Sequence, residues 1–505
     1  MKIKNSAMAF LVAPLALLSI LLTQLQISGY PMLTFEAGLA IAGITIIGTI
    51  IGGIVIFSPQ VLRNAIFALI VAMVANGLFR PFTALSWLGL SETVYPVAIS
   101  GIAFTTFFLL SEKTNEFLAT ISGAVLLSSL LVSAQESDWR TMVNRSMPAG
   151  TNNLSPYIHI VLDGHIGLGG IPDEFDPTGR FRDTVLNNYL RNDFRVYSDV
   201  NVSTPPQTVV SFRDFLGFDD MHITDRFEQF SDQGSNPLGG PNRLFEMLHE
   251  MGYSLNVIQS THLDLCNEPD AQRVIDYCRT YPYSPFLDTL IGSSLGPKDK
   301  AIVMMNVVFR RSGIAKVIDI LAESGTGQWL HLPTWPLFVC QYCIAAETAL
   351  TEFDRSIPKI DKGDAYFIHL TSPHDPYQFY DENCGFDFPI RYQTGSIANN
   401  YARYLGQSVC IQSRLMESLE MLADQPHIRD AIVIIHSDHG PPAYALNTRR
   451  VTFDPESSSF GQAAYSVFFA VKAPGLRAGR DETTYNLPAL LKSTVQSQVV
   501  RQSAD

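Results

Sequence analysis

The sequence predicts a two-part chain. The first part is an N-terminal helical membrane domain of about five spans. The second is an α/β domain with a mostly parallel sheet and helices on both faces. Three observations carry this expectation. Charge is scarce at the start: of 35 basic and 48 acidic residues, five and four lie in residues 1–135, leaving 30 and 44 beyond and a net −14 there. Apolar stretches of spanning length, or close to it, fill the same 135 residues. Beyond them, short apolar runs end repeatedly in clusters of Asp, His, Ser and Thr. Runs buried on both faces mark parallel strands, and open α/β sheets bind ligands at the carboxyl ends of such strands.

The apolar stretches cover approximately residues 8–27, 35–57, 62–79, 94–111 and 117–134. The first follows MKIKNS, a basic start like that of a signal peptide, but no small-x-small cleavage site follows cleanly. An uncleaved anchor is therefore expected. Lys2 and Lys4 place the N-terminus in the cytoplasm, and Arg63 and Lys113 fall in the second and fourth connections, also inside. Arg80 is the one exception. Five spans from an inside start put residue 135 onward outside. All six Cys lie between Cys266 and Cys410, an even count that suits an oxidising compartment, buried free thiols being the alternative. Cys340 and Cys343 form a CxxC, but without a second such pair a zinc ribbon is not supported. No acid or base lies deep in any span, so no ion pathway is indicated. The acidic second part argues against nucleic acid as a partner.

Residues 136–156 read as a polar linker, 157–475 as the folded domain and 476–505 as a C-terminal segment. YIHIVL (157–162) is the first strand and runs into Asp163, either a metal ligand or a turn or cap Asp. FRVYSDVN (194–201) is another strand. It leads through Ser203-Thr204-Pro205-Pro206-Gln207 to Thr208 and a helical FRDFLG. Thr208 falls at or just before a helix N-terminus, where free N–H groups and positive potential stabilise an alkoxide or a phosphoryl group. Its bland alternative is an N-cap; Ser211, not Glu or Gln, stands three residues on, so no capping box forms. NRLFEMLHEM (242–251) is an amphipathic helix and YSLNVIQ (253–259) a strand. Cys266 and Cys278 flank an acidic loop and are a possible pair.

Residues 285–330 read as helical with a Gly/Ser break at 324–327, facing the membrane or covering the site. AYFIHL (365–370) is a strand ending in TSPHDPY, where prolines on either side hold His374 and Asp375 in place. A long helix over 397–423 leads into AIVIIHSDHG (431–440). There Asp438 and His439 offer an oxygen and a nitrogen to one divalent cation. His436 either supports Asp438 or faces the core. YSVFFAV (465–471) reads as the last strand.

The order strand–Asp163, Thr208 before a helix, PHDPY, then SDHG resembles the alkaline phosphatase superfamily. It is most similar to the membrane-anchored sulfatase-like branch, which includes the lipoteichoic acid synthases and the phosphoethanolamine transferases. The resemblance covers approximately residues 155–475, with SDHG (Ser437 to Gly440) its most specific piece. It implies an alkaline-phosphatase/sulfatase-like α/β domain outside a bacterial inner (plasma) membrane, on a multi-pass anchor with a cytoplasmic N-terminus. It also implies that Cys384 pairs with Cys410. Pro206-Gln207-Thr208-x-x-Ser211 resembles the branch's nucleophile segment, and PHDPY its substrate-side histidine loop. Two departures stand out. Gln207 replaces the Arg of the sulfatase pattern C/S-x-P-x-R, and Gly164 follows Asp163 where many relatives have Ser or Asp.

Asp163, Thr208, Asp438 and His439 are thus the expected ligands of one divalent metal, Zn or Mn by the mixed O/N set, with Mg or Ca also compatible. Thr208 is the expected nucleophile, with Ser203 or Thr204 as alternatives. His374 is the expected catalytic partner, and His165, Ser211, His374 and Asp375 the substrate-binding set. Three functions compete. The first is transfer of a phosphate-linked group, of phosphoethanolamine or phosphoglycerol type, from a membrane lipid to an envelope glycan through a phospho-threonine. The second is hydrolysis of sulfate or phosphate esters. The third is a non-catalytic role in envelope glycan assembly.

Overall fold

A computed structural model describes residues 2–60, 62–63, 66–67, 70, 140–143, 154–203, 207–218, 242–267, 271–281, 287, 290, 295–311, 341–374, 377, 383–385, 397–441 and 463–499. The chain opens with two helices, α1 (Lys2–Ile27) and α2 (Phe35–Phe57). They pack antiparallel, with Gly48 against Pro14 and Gly52 against Phe10, where an added Cβ would meet backbone atoms at 2.4 and 2.3 Å. Small residues at these crossings let the two backbones approach. Among the described residues one helix, Phe35–Phe57, is long and apolar enough to cross a membrane, and Phe10–Gln26 is a shorter apolar run. The fourth and fifth expected spans, and most of the third, lie outside the described residues.

The second part is built on a nine-stranded sheet of order β1-β5-β4-β6-β2-β7-β8-β3-β9. Its strands are β1 (Arg140–Val143), β2 (Tyr157–Leu162), β3 (Arg195–Asn201), β4 (Ser254–Ser260), β5 (Tyr277–Tyr281), β6 (Asp364–Leu370), β7 (Ile432–Ser437), β8 (Ser466–Lys472) and β9 (Gly479–Asn486). The run β5-β4-β6-β2-β7 is parallel throughout, and β3 pairs parallel with β9. β1, and β8 on both of its sides, pair antiparallel. The mostly parallel sheet is therefore present as expected.

Alternation along each strand splits the core in two. Ile158, Ile160 and Leu162 face one apolar layer, covered by α3 (Arg180–Arg191), α7 (Gln341–Ser356) and α8 (Ile397–Ala423). Tyr157 and Val161 face the other, covered by α4 (Thr208–Gly217), α5 (Arg243–Glu250) and α9 (Leu487–Val499). A remaining helix, α6 (Pro297–Arg311), packs with α1 and α2.

The sheet is wider than the sequence suggested at both ends. Residues 140–143, inside the expected linker, form edge strand β1. Residues 479–499, in the expected C-terminal segment, add β9 and α9. β9 reads GRDETTYN, exposed on both faces for much of its length, so it carries no apolar alternation to find. Cys266 pairs with Cys278 and Cys384 with Cys410, as anticipated.

His436 faces the core. Its Nε2 lies 2.7 Å from Nε2 of His159 on the neighbouring strand, and His159 Nδ1 is bonded to the Tyr157 hydroxyl at 2.9 Å. Two nitrogens this close share one proton, so the two rings are not both charged. Burial holds His159 well below the usual histidine range and His436 down to about 4. In the unfolded chain both titrate near 6.5. Their stability contribution is therefore full above that pH and is lost as pH falls toward 4. The thermal midpoint should hold level above pH 7 and drop between about pH 6.5 and 5, before most carboxylates protonate. In His159→Gln this drop should be shallower; an identical slope would show that the pair stays uncharged for another reason.

Candidate active site

The site lies where β4, β6, β2 and β7 end side by side. Strand register sets it. Leu162 is level with Leu370 on one side and Ser437 on the other. Asp163 N–H donates to Leu370 O at 2.9 Å, and Asp438 N–H donates to Leu162 O at 3.3 Å. These two bonds carry the sheet one residue further and bring both carboxylates to the same level. Gly164 then turns at φ +74°, a left-handed conformation that favours glycine. The Tyr404 hydroxyl of α8 clamps this turn, donating to Gly164 O at 2.9 Å and accepting from Ile166 N at 2.7 Å. Beyond β7, Gly440 passes so close to the segment before β8 that an added Cβ would sit 2.0 Å from Ala463 O.

Asp163, Asp438 and His439 form a buried group whose candidate ligand atoms all lie within 4.8 Å of one another. His439 Nε2 is 3.7 Å from Asp163 Oδ1 and 3.4 Å from Asp438 Oδ2. Asp438 Oδ1 accepts from Gly164 N at 3.0 Å and from His439 N at 2.8 Å, while Oδ2 has no hydrogen-bond partner among the described residues. His439 Nδ1 is engaged with Gly440 O at 2.7 Å, which leaves Nε2 turned to the carboxylates. Burying a carboxylate without a compensating charge costs several kcal/mol. Two carboxylates, one with a buried oxygen outside any hydrogen bond, and an imidazole aimed at both are a donor set that fits a divalent cation. Mixed O/N donors without thiolate suit Zn or Mn, with Mg and Ca compatible.

Thr208 joins this group. It is the first residue of α4; Gln207 takes the N-cap position, and its side chain makes no cap bond. The Thr208 hydroxyl is therefore not consumed in capping. It lies 3.4 Å from His439 Nε2. Ser211, one turn along the same helix face, is buried, and its hydroxyl has no hydrogen-bond partner among the described residues.

Two histidines that the sequence reading did not single out complete the cluster. His369 of β6 and His262, just past β4, each place Nε2 4.0 Å from Asp163 Oδ2. Phe212 of α4 packs on the His369 ring at 4.5 Å. Burial, then the neighbouring imidazoles of His262, His374 and His439, hold His369 well below its ordinary range. Burial, then His374, lowers His262 to about 4. Both rings are thus neutral near pH 7, the form that binds a metal or offers one N–H to an anion. The signal was present for His369, a polar residue one position from the end of an apolar strand. His262 sits in an ordinary-looking THLD turn and carried none.

His374 is half-buried beside this cluster. Its ring packs on Tyr342 at 4.3 Å and lies 5.9 Å from that of His262, and its carbonyl accepts from Gln407 at 3.0 Å. Asp375 and Thr204 lie outside the described residues. Two expectations are corrected. His165 is not a substrate-side residue: its Nδ1 is engaged with Ile166 O at 2.9 Å, its Nε2 with Gln412 at 3.0 Å, and its ring packs with Phe181 and Phe468. The turn at Gly164 delivers it to the apolar layer opposite α4. Ser203 is exposed and accepts from Asn486 Nδ2 at 2.8 Å, with no member of the cluster as its described partner.

No family model matches the chain, and no curated protein matches it. Solved structures do. A 2-O GAG sulfatase is 12% identical, with a TM-score of 0.41 over 68% of this chain and 70% of its own. An alkaline phosphatase superfamily protein from Vibrio parahaemolyticus is 12% identical, with a TM-score of 0.39 over 69% and 68%. The C-terminal periplasmic domain of EcEptC from Escherichia coli, in complex with zinc, is 13% identical, with a TM-score of 0.40 over 70% and 86%. Sulfatases and an alkaline phosphatase superfamily protein are thus among the structures to which this chain is similar.

Metal analysis of the purified protein should find about one divalent ion per chain, by the ligand count. Asp438→Ala should lose it and fall in thermal midpoint to that of chelator-treated wild type. Full metal content in Asp438→Ala would rule out the ligand set.

Proposed function

We propose that the protein is a metal-dependent phosphotransferase that moves a phosphate-linked group from a membrane lipid to an envelope glycan through a phospho-threonine on Thr208. The observation that carries this reading is the Thr208 hydroxyl at a helix N-terminus, 3.4 Å from His439 and beside two buried carboxylates. A divalent cation held by Asp163, Asp438 and His439 would lower the pKa of that hydroxyl and offset charge on the reacting phosphoryl oxygens.

The residues then divide the work. Thr208, its hydroxyl proton lost to solvent beforehand, attacks phosphorus as the alkoxide, and the P–O bond to the lipid breaks. The free N–H groups of the first turn of α4 face the same region with the positive end of the helix dipole. His262 and His369, neutral and aimed at the Asp163 side, offer N–H donors to phosphoryl oxygens without adding charge. His374 supplies a proton to the departing lipid oxygen. In the second half, an acceptor hydroxyl attacks the phospho-threonine, the Thr208 O–P bond breaks, and His374 recovers the proton. A lipid donor accords with the apolar helices α1 and α2, and an extracytoplasmic site with the two disulfides. Ser203, the nucleophile a sulfate-ester hydrolase reading would favour, is turned to Asn486, which supports Thr208 instead.

Thr208→Ala should cut turnover by at least about 10³-fold while leaving membrane insertion intact. Ser203→Ala should stay within a few-fold of wild type. Mass spectrometry of protein exposed to envelope lipids should find a phospho-adduct on Thr208. An adduct elsewhere, or full activity in Thr208→Ala, would overturn the assignment.

A further inference from the structure

Tyr342, in the first turn of α7, touches two of the site's histidines. Its half-buried ring lies 4.3 Å from that of His374, tilted by 33°, and 5.2 Å from that of His262, edge-on at 87°. The two imidazoles are 5.9 Å apart at 67° to each other. One phenol ring therefore packs on both and bears on the angle between them. The same side chain also packs against the apolar cluster shared by Leu21 of α1, Ile44 of α2 and Met304 of α6.

The backbone beneath this ring is held from two sides. Thr371, buried just past β6, donates from its hydroxyl to Tyr342 O at 2.7 Å. Gln407, buried in α8, places its amide nitrogen 3.8 Å from Cys343 Sγ and donates from it to His374 O at 3.0 Å. Cys343 is itself buried and disulfide-bonded. One amide thus ties the residue after Tyr342 to the loop that carries His374. The start of α7 and that loop are fastened to each other at two points, with the Tyr342 ring between them.

Proton delivery demands orientation. An exposed side chain changes rotamer in picoseconds to nanoseconds unless packing stops it. Misplacing a reacting group by about 1 Å can cost about two orders of magnitude in rate. An aromatic ring packed on an imidazole restricts its turning, and the π face attracts the imidazole when it carries a proton. A leucine in the same place fills volume but offers no π face.

We propose that Tyr342 is a positioning residue of the transfer step, holding the His374 imidazole, with His262 beside it, in the orientation that hands a proton to the departing lipid oxygen. It acts through His374 and takes no part in bond making. This rests on the reading of His374 as the proton donor, and it deepens that reading.

The test compares leaving groups, using the full chain with its metal in detergent micelles. Phosphatidylethanolamine and phosphatidylglycerol release an alkoxide that needs the proton. The nitrophenyl esters of phosphoethanolamine and phosphoglycerol release nitrophenolate, which does not. His374→Gln should lose about 10²-fold in kcat on the lipids, and at least tenfold less on the nitrophenyl esters. Tyr342→Leu should show the same leaving-group dependence, with a loss of about tenfold on the lipids and KM within a few-fold. Tyr342→Phe, which keeps the ring, should restore the lipid rate. Thr371→Val, which removes only the bond to Tyr342 O, should shift the ratio several-fold in the same direction. Equal losses on both donor classes in Tyr342→Leu, or a Phe variant as impaired as the Leu one, would overturn the positioning role while the His374 assignment stands. Where Tyr342→Leu does not fold, an unchanged ratio in Thr371→Val overturns it. If His374→Gln itself loses both classes equally, or neither lipid is turned over, the proton-donor reading falls and this proposal with it.

Discussion

Everything chemical in this protein depends on two backbone hydrogen bonds just beyond the end of β2. Asp163 N–H reaches Leu370 O, and Asp438 N–H reaches Leu162 O. They extend the parallel pairing past the last strand residues, so that Asp163 and Asp438 come to one level, with the His369 ring on the same face, opposite Val161 and two positions earlier. Side-chain period in a strand is two, so a slip of one residue would send each group to the opposite face. The apolar layers on both sides of the sheet forbid that slip. Core packing and ligand placement are therefore one constraint.

The site shows what that constraint costs. Two fully buried carboxylates face three imidazoles across distances of 3.4 to 4.0 Å. Such an arrangement is unfavourable without added positive charge, because the interior solvates anions poorly. Desolvation keeps His262 and His369 neutral, so these two cannot supply that charge as imidazolium near neutral pH. A divalent cation is a compensation that the donor set fits. The other buried histidines have different solutions. His159 and His436 share a proton between strands, and His165 is bonded to Ile166 O and Gln412.

Between the site and the N-terminal helices lies one short stretch of α7. Tyr342 touches His374, and Ile344 touches the cluster of α1, α2 and α6. Thr371, at the end of β6, donates to Tyr342 O at 2.7 Å and closes the same link from the sheet side.

What could be read from the chain alone followed from local rules. Apolar runs of six or seven residues ending in Asp, His or Ser located β2, β6 and β7, and with them Asp163, Asp438 and His439. Thr208 was legible because a Pro-rich approach to a helical pattern marks a helix start. The long uncharged stretch at 35–57 marked α2 by composition. The edge strands β1 and β9 were not legible, since edge strands bury little and carry weak alternation. Only the tertiary structure decided which histidines belong to the site. His165 is two residues from Asp163 yet turns away at Gly164, while His262 and His369, 99 and 206 positions from Asp163, arrive at 4.0 Å from it. The reason is that sequence patterns report the face and type of an element, whereas strand order and register decide which distant ends become neighbours.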